Sequence, residues 1–140
     1  MNNLKREAEK IIEELRRTHK RSRKHGRGKY GFVRYLKQVY DQFAAWRETP
    51  GMATKMRDQI TKSAKVPKVT QKKHSFNVII TATATEETRA KSRWAQALQY
   101  AWRWRRLRQQ HRMTLREFFQ KNGGVAGCAR NFSQGIRPNL

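Results

Sequence analysis

The chain has 140 residues, of which 33 are Lys or Arg and 10 are Asp or Glu, so its formal net charge at neutral pH is +23. A charge this large repels itself in a compact fold, and a permanent polyanionic partner is the simplest compensation. The length allows one small core, while 4 Trp, 4 Tyr and 6 Phe residues are too many for a wholly disordered basic tail. We therefore expect a small folded core with basic extensions.

The sequence argues against membrane and secreted proteins. No apolar run approaches the roughly 20 residues that a membrane-spanning helix needs, and no apolar segment follows the first charges, as it would in a secretory signal. Cys128 is the only cysteine and cannot form an internal disulfide, which fits a reducing compartment. We expect a cytoplasmic protein, in the bacterial cytoplasm or nucleoid.

Residues 4–24 have apolar side chains at helical spacing and charges that change sign along the segment. Acids lie in the first half and cations in the second, as a helix dipole prefers. No acid occurs between Glu14 and Asp41, so phosphate contact is favoured over a merely solvated face. The predicted phosphate-binding residues of this region are Arg16, Arg17, Lys20, Arg21, Arg23, Lys24, Arg27, Lys29 and Arg34.

The stretch from Gly26 to Gly31 matches the G-x-G-x-x-G spacing of dinucleotide-binding loops. Those loops follow a strand, whereas a basic helix precedes this one, so a flexible hinge is the better interpretation. We accordingly divide the chain into a basic helical arm with its hinge, residues 1–31, and a core domain, residues 32–140.

The middle of the chain predicts two helices and one strand. Aromatic and aliphatic residues recur every three or four positions over 32–47, and a weaker helical pattern covers 52–64, before a basic linker over 65–74. Residues 76–83 alternate with a period of two and are rich in β-branched side chains, which predicts a short strand. A strand needs a partner, either residues 68–73 as a hairpin or the same strand of a second copy in a homodimer.

A long helix is predicted over residues 86–110, with an N-cap at Thr85 and a second half in which arginine alternates with Trp. Core packing of Trp102 and Trp104 with merely solubilising arginines is one interpretation, and phosphate contact by the arginines is the other, which we favour. The predicted contact residues here are Arg103, Arg105, Arg106, Arg108 and Arg112.

Two short helices are predicted to follow. Thr114 and Glu117 form a capping box at the start of the first, Asn122-Gly123-Gly124 ends it, and the second covers 125–132. Residues 115–132 loosely resemble the start of the helix-turn-helix of Fis-like bacterial DNA-binding proteins, which implies DNA binding. Gly135 and Pro138 lie where that family's recognition helix would begin.

Two further resemblances are weaker. Ser92 to Ala101 together with Asn122 to Ala129 are similar to small uncharacterised proteins of bacterial phages and plasmids, a likeness that extends over residues 92–132. A strand leading into helices also resembles the ribbon-helix-helix family, which implies a dimer whose strands read the major groove through Asn77, Thr81 and Thr83.

Catalytic and metal chemistry finds little support. The four histidines lack Cys or acidic partners at ligand spacing, the acids are not paired for catalysis, and Cys128 lies among small apolar residues as a buried, inert thiol would. We expect no metal and no cofactor.

The sequence thus predicts a mainly α, non-enzymatic DNA-binding protein with about five or six helices, regulating or organising the DNA of a mobile element. The alternatives are an RNA-binding or ribosome-associated protein and a phage-type inhibitor that binds another protein.

Overall fold

The computed structural model describes residues 3–25, 31–104 and 113–139 and is mainly helical. Within these ranges it contains eight helices and no strand. They are α1 (Asn3–His25), α2 (Val33–Arg47), α3 (Met52–Ala64), α4 (Lys68–Gln71), α5 (Ser75–Thr83), α6 (Thr88–Trp104), α7 (Leu115–Lys121) and α8 (Gly124–Gln134). No helix of the described part is long and apolar enough to cross a membrane.

Helix α1 belongs to the core rather than to a separate arm. Its apolar stripe is buried against α2, α3 and α5, because positions three and four apart lie on one side of a helix. The buried residues of this stripe are Ala8, Ile11, Ile12, Leu15, His19 and Ser22. The packing therefore joins residues 3–25 to the domain that the sequence placed at 32–140.

Helices α2 and α3 agree with the predicted segments within one residue. The α2 stripe predicted from spacing is buried, with Leu36 and Val39 at 0% exposure and Trp46 at 5%. Gly51 has φ of +79° at the turn into α3, a conformation that glycine adopts without strain. The predicted linker over 65–74 contains the short helix α4.

The predicted strand over 76–83 is wrong, since these residues form most of helix α5. Seven of its nine residues are buried, among them both neighbours Ile79 and Ile80, so the alternation did not separate an inner face from an outer one. A short apolar run of this kind fits a buried helix as well as a strand. Because residues 76–83 are helical, the predicted strand pairing is wrong, both as a hairpin and between two copies. The resemblance to the ribbon-helix-helix family, which depended on that strand, is not supported either.

Helices α6 and α8 lie side by side and run in the same direction. Ala90 and Trp94 near the start of α6 face Val125 and Ala126 at the start of α8, and Tyr100 near the end of α6 donates a hydrogen bond of 2.8 Å to the carbonyl oxygen of Ile136. This contact is the most extensive between any two helices of the described part. The buried faces use small residues, which allow a close approach.

The turn between α7 and α8 is built on glycine and asparagine. The N-cap half of the predicted capping box is confirmed, because Thr114 Oγ1 accepts a hydrogen bond of 3.1 Å from the Glu117 amide, while Glu117 Oε1 pairs with the Thr114 hydroxyl at 3.1 Å rather than with its amide. Gly123 and Gly124 both have positive φ, and a Cβ atom at Gly127 would lie 2.4 Å from the Asn122 carbonyl oxygen, so this approach needs glycine.

Buried Asn122 ties the C-terminal segment to α7. Its side chain accepts a hydrogen bond of 2.7 Å from the Asn139 amide and donates one of 3.2 Å to the Asn139 carbonyl. Because a buried polar side chain must find partners, these bonds hold residues 135–139 against the helices.

Candidate functional site

The second half of α1 presents its cations to solvent. Its buried stripe faces the core, and the opposite side carries exposed, charged residues at helical spacing. We call this surface the outer face of α1. It comprises Arg17, Lys20, Arg21 and Lys24, all predicted contact residues.

Little of this charge is neutralised locally. Arg17 lies 3.2 Å from Glu13 in an exposed pair, and exposed pairs of this kind are weak in water. For Lys20, Arg21 and Lys24 there is no ion pair with a carboxylate within the described ranges. The outer face therefore keeps a strong positive field.

Arg16 and Arg23 lie between the outer face and the core and have additional roles. Arg16 Nε donates a hydrogen bond of 3.1 Å to the Ala82 carbonyl oxygen at the end of α5. Arg23 donates one of 3.3 Å to the Thr85 hydroxyl. Both side chains remain exposed, so they attach α1 to the connection between α5 and α6 while adding to its charge.

A buried histidine fixes the orientation of this half of α1. His19 is 3% exposed, and its Nε2 lies 2.5 Å from Glu86 Oε1. Its ring centroid lies 5.3 Å from that of Phe32, 5.1 Å from Tyr35 and 6.2 Å from Trp94. These contacts, together with the packing of α1 on α2, α3 and α5, hold the outer face toward solvent.

Arg34 is exposed in the first turn of α2, two residues from Phe32 of this aromatic cluster. The predicted contacts Arg27 and Lys29 lie outside the described residues. The structure thus places the second half of α1 and Arg34 at the same end of α2.

The second predicted contact region lies at the other end of α6. Arg103 is exposed, and its guanidinium lies 5.6 Å from the Trp104 ring centroid. Arg103 is about 14 Å along the helix axis from Trp94, which contacts His19 of α1. The contact region around Trp104 is therefore separate from the one on α1. Arg105, Arg106, Arg108 and Arg112 lie outside the described residues.

Sequence reasoning missed three arginines that the fold adds to these regions. Arg137 of the C-terminal segment lies 5.6 Å from the same Trp104 ring as Arg103. Arg89 and Arg93 are exposed in the first turns of α6, which begins three residues after Thr85, the partner of Arg23. The long acid-free stretch from Glu87 to Glu117 included the last two, but only the fold shows that the residues just before α6 contact α1, through Thr85 and Glu86.

The titratable groups in the core do not suggest a catalytic site. Burial raises the pKa of the Cys128 thiol to about 12 and raises the pKa of Tyr100, so both stay protonated near neutral pH. The buried Cys128 agrees with the inert thiol expected from the sequence. Among the described residues, no group of His, Cys, Asp and Glu has an arrangement that could hold a metal ion.

The site is therefore a pair of cationic surfaces, one on α1 and one around Trp104, held by an aromatic core. Comparisons with protein-family models, with curated proteins and with solved structures find no match for this chain.

Proposed function

We propose that this chain is a non-enzymatic DNA-binding protein that contacts phosphates through the outer face of α1. The observation that carries the proposal is a face of four exposed cations whose orientation is fixed by the buried His19. Arg34 and the cations around Trp104 extend the contact. The net charge of +23 supplies the long-range attraction.

The spacing of the outer face suits a phosphate backbone. Residues 17–24 span about 10 Å of helix axis, and successive phosphates of one DNA strand are about 3.4 Å apart along the duplex axis. Four cations on one side of α1 therefore face about three to four phosphates.

Binding to fluorescein-labelled duplex DNA, followed by fluorescence anisotropy across a salt series, tests the proposal. The variant carries Arg17→Ala, Lys20→Ala, Arg21→Ala and Lys24→Ala. We expect the slope of log affinity against log salt to become shallower by about 3 to 4, and the affinity near physiological salt to fall on the order of a hundredfold, because each phosphate contact contributes about 0.9 to the slope.

A matched control removes four exposed lysines that lie on α3, on α4 or at the C-cap of α4. The substitutions are Lys55→Ala, Lys62→Ala, Lys68→Ala and Lys72→Ala, which change the net charge by the same amount. We expect only a small loss from this control. Equal losses in the two variants would show that net charge rather than the α1 face determines binding. Tighter binding to a structured RNA than to the duplex would contradict the choice of DNA.

A further inference from the structure

A cleft of about 200 Å³ lies between the first turns of α6 and α8. Its walls are largely apolar, and it exists because the parallel helices meet here through short side chains. The lining residues are Ala90, Arg93, Trp94, Val125 and Ala126.

The volume limits what the cleft can hold. An apolar cavity of about 150 Å³ in a protein takes up benzene, and drug-sized ligands occupy pockets of about 300 to 1,000 Å³. A cleft of about 200 Å³ therefore accommodates a single planar ring system.

The lining residues favour an aromatic, anionic ligand. Trp94 is half-buried, and its indole is held by Phe32 at 4.9 Å and Tyr35 at 5.8 Å between ring centroids, so it forms a rigid wall. Arg93 beside it is exposed, and no hydrogen bond or ion pair engages its guanidinium within the described part of the chain. An indole next to a guanidinium is the combination that binds a base and its phosphate in single-stranded nucleic acid.

The cleft lies near the second half of α1, on the side of that helix that carries His19. The Trp94 ring lies 6.2 Å from the ring of His19, whose helix carries the outer face. Arg23 of the same helix reaches Thr85, three residues before α6 begins. Arg23 therefore brings a cation of α1 to the connection that leads into α6, and the proposed strand would pass from the outer face over this connection to reach the cleft.

We propose that this cleft binds one unpaired nucleobase, stacked on Trp94, with the phosphate of that nucleotide on Arg93. The inference rests on the proposed function and deepens it, because a base can enter the cleft only from a single strand, a bulge or a flipped nucleotide. The affinity of the chain for a single strand should then exceed the affinity that phosphate contacts alone provide.

Three fluorescein-labelled probes test the inference by anisotropy with the full chain. They are an oligothymidylate, the same strand with abasic residues in place of the nucleosides, and a duplex of the same length. The abasic strand keeps the phosphates and lacks the bases. We expect the wild-type protein to bind it at least about fivefold more weakly than the oligothymidylate, since stacking on an aromatic side chain accounts for that factor or more.

Two variants locate the effect. Ala126→Leu fills the cleft and keeps Trp94 in its aromatic cluster, while Ser133→Leu adds the same side chain at an exposed position of α8 outside the cleft. We expect Ala126→Leu alone to lose the preference for the base-containing strand, with unchanged affinity for the abasic strand.

Equal binding of all three probes by the wild-type protein would overturn the base site and leave the proposed phosphate binding intact. A preference that survives Ala126→Leu would also overturn it. No binding to any probe at low salt would overturn the proposed function as well.

Discussion

Helices α1 and α5 are in contact but differ in how much of their surface is buried. α5 has nine residues, no charged side chain and seven buried positions. α1 has 23 residues, a narrow buried stripe and charged residues over the rest of its surface. α5 therefore contributes mainly buried apolar surface, whereas the buried stripe of α1 anchors a helix whose opposite side exposes charged residues to solvent.

Removal of an aromatic ring from α5 should have the largest effect on stability. Phe76 is fully buried and lies 4.8 Å from Phe43 between ring centroids. We expect Phe76→Ala to lower the free energy of unfolding by about 3 to 5 kcal/mol, measured by urea denaturation. If that variant does not fold, Ile79→Val should still cost about 0.5 to 1.5 kcal/mol.

The matched change on α1 is Lys10→Ala at an exposed position. It should alter the free energy of unfolding by no more than about 0.5 kcal/mol. Similar losses for Lys10→Ala and Phe76→Ala would break the contrast between the two helices.

The start of α5 should make stability depend on pH. His74 Nδ1 accepts a hydrogen bond of 3.0 Å from the Phe76 amide, and burial, together with Arg57 and Arg47, lowers the pKa of His74 to about 4. Below about pH 6.5 the unfolded chain binds a proton that the folded chain does not, so stability falls as the pH decreases toward 4. The loss attributable to this residue should be on the order of 2 to 3 kcal/mol.

His74→Asn is the test, because asparagine can also accept the bond from the Phe76 amide. Urea denaturation of both proteins between pH 7 and pH 4 gives the pH dependence of the free energy of unfolding for each. The contributions of the other titrating groups cancel in the difference between the two proteins. We expect the variant to lose less stability than the wild-type protein. Parallel curves would contradict the assignment to His74.

A smaller effect is expected at the other end of α5. The Thr83 hydroxyl donates to the Ile79 carbonyl oxygen at 2.8 Å, so the Tyr35 hydroxyl, 2.5 Å from Thr83 Oγ1, must donate to Thr83. Burial raises the pKa of Tyr35, which keeps this donor protonated. Tyr35→Phe should therefore cost about 1 kcal/mol in urea denaturation, and an unchanged stability would show that the bond contributes nothing.

A small effect on stability, similar in size to that of Lys10→Ala, should come from the exposed ion pair on α1. Glu13→Gln removes the partner of Arg17 and should lower the free energy of unfolding by about 0.3 to 0.5 kcal/mol. The same change takes a negative charge away from the outer face, so the affinity for duplex DNA in anisotropy should rise. A fall in affinity would show that the pair orients Arg17 for binding.

The sequence predicted the amphipathic elements well and the buried one badly. The stripes of α1 and α2 each have a polar side that reveals the helical period, whereas α5 is buried on nearly every side and shows none. Its alternating β-branched residues then favoured a strand.

The candidate contact residues differ in how far the sequence alone could group them. The cations of the outer face lie on one helix, so their spacing was visible in the sequence. Arg137 meets the Trp104 ring only because the C-terminal segment folds back, and Arg93 lines the cleft only because α6 packs against α8. No local pattern encodes such proximity.

The burial of His19 among three aromatic rings has a thermodynamic consequence for any ligand of α1. A disordered basic tail loses conformational entropy when it settles on a polyanion, whereas this helix is ordered before the encounter. Less of the interaction free energy is then spent on ordering the backbone. Association should accordingly proceed with little gain in helical circular dichroism, as docking of a preorganised surface rather than folding upon binding.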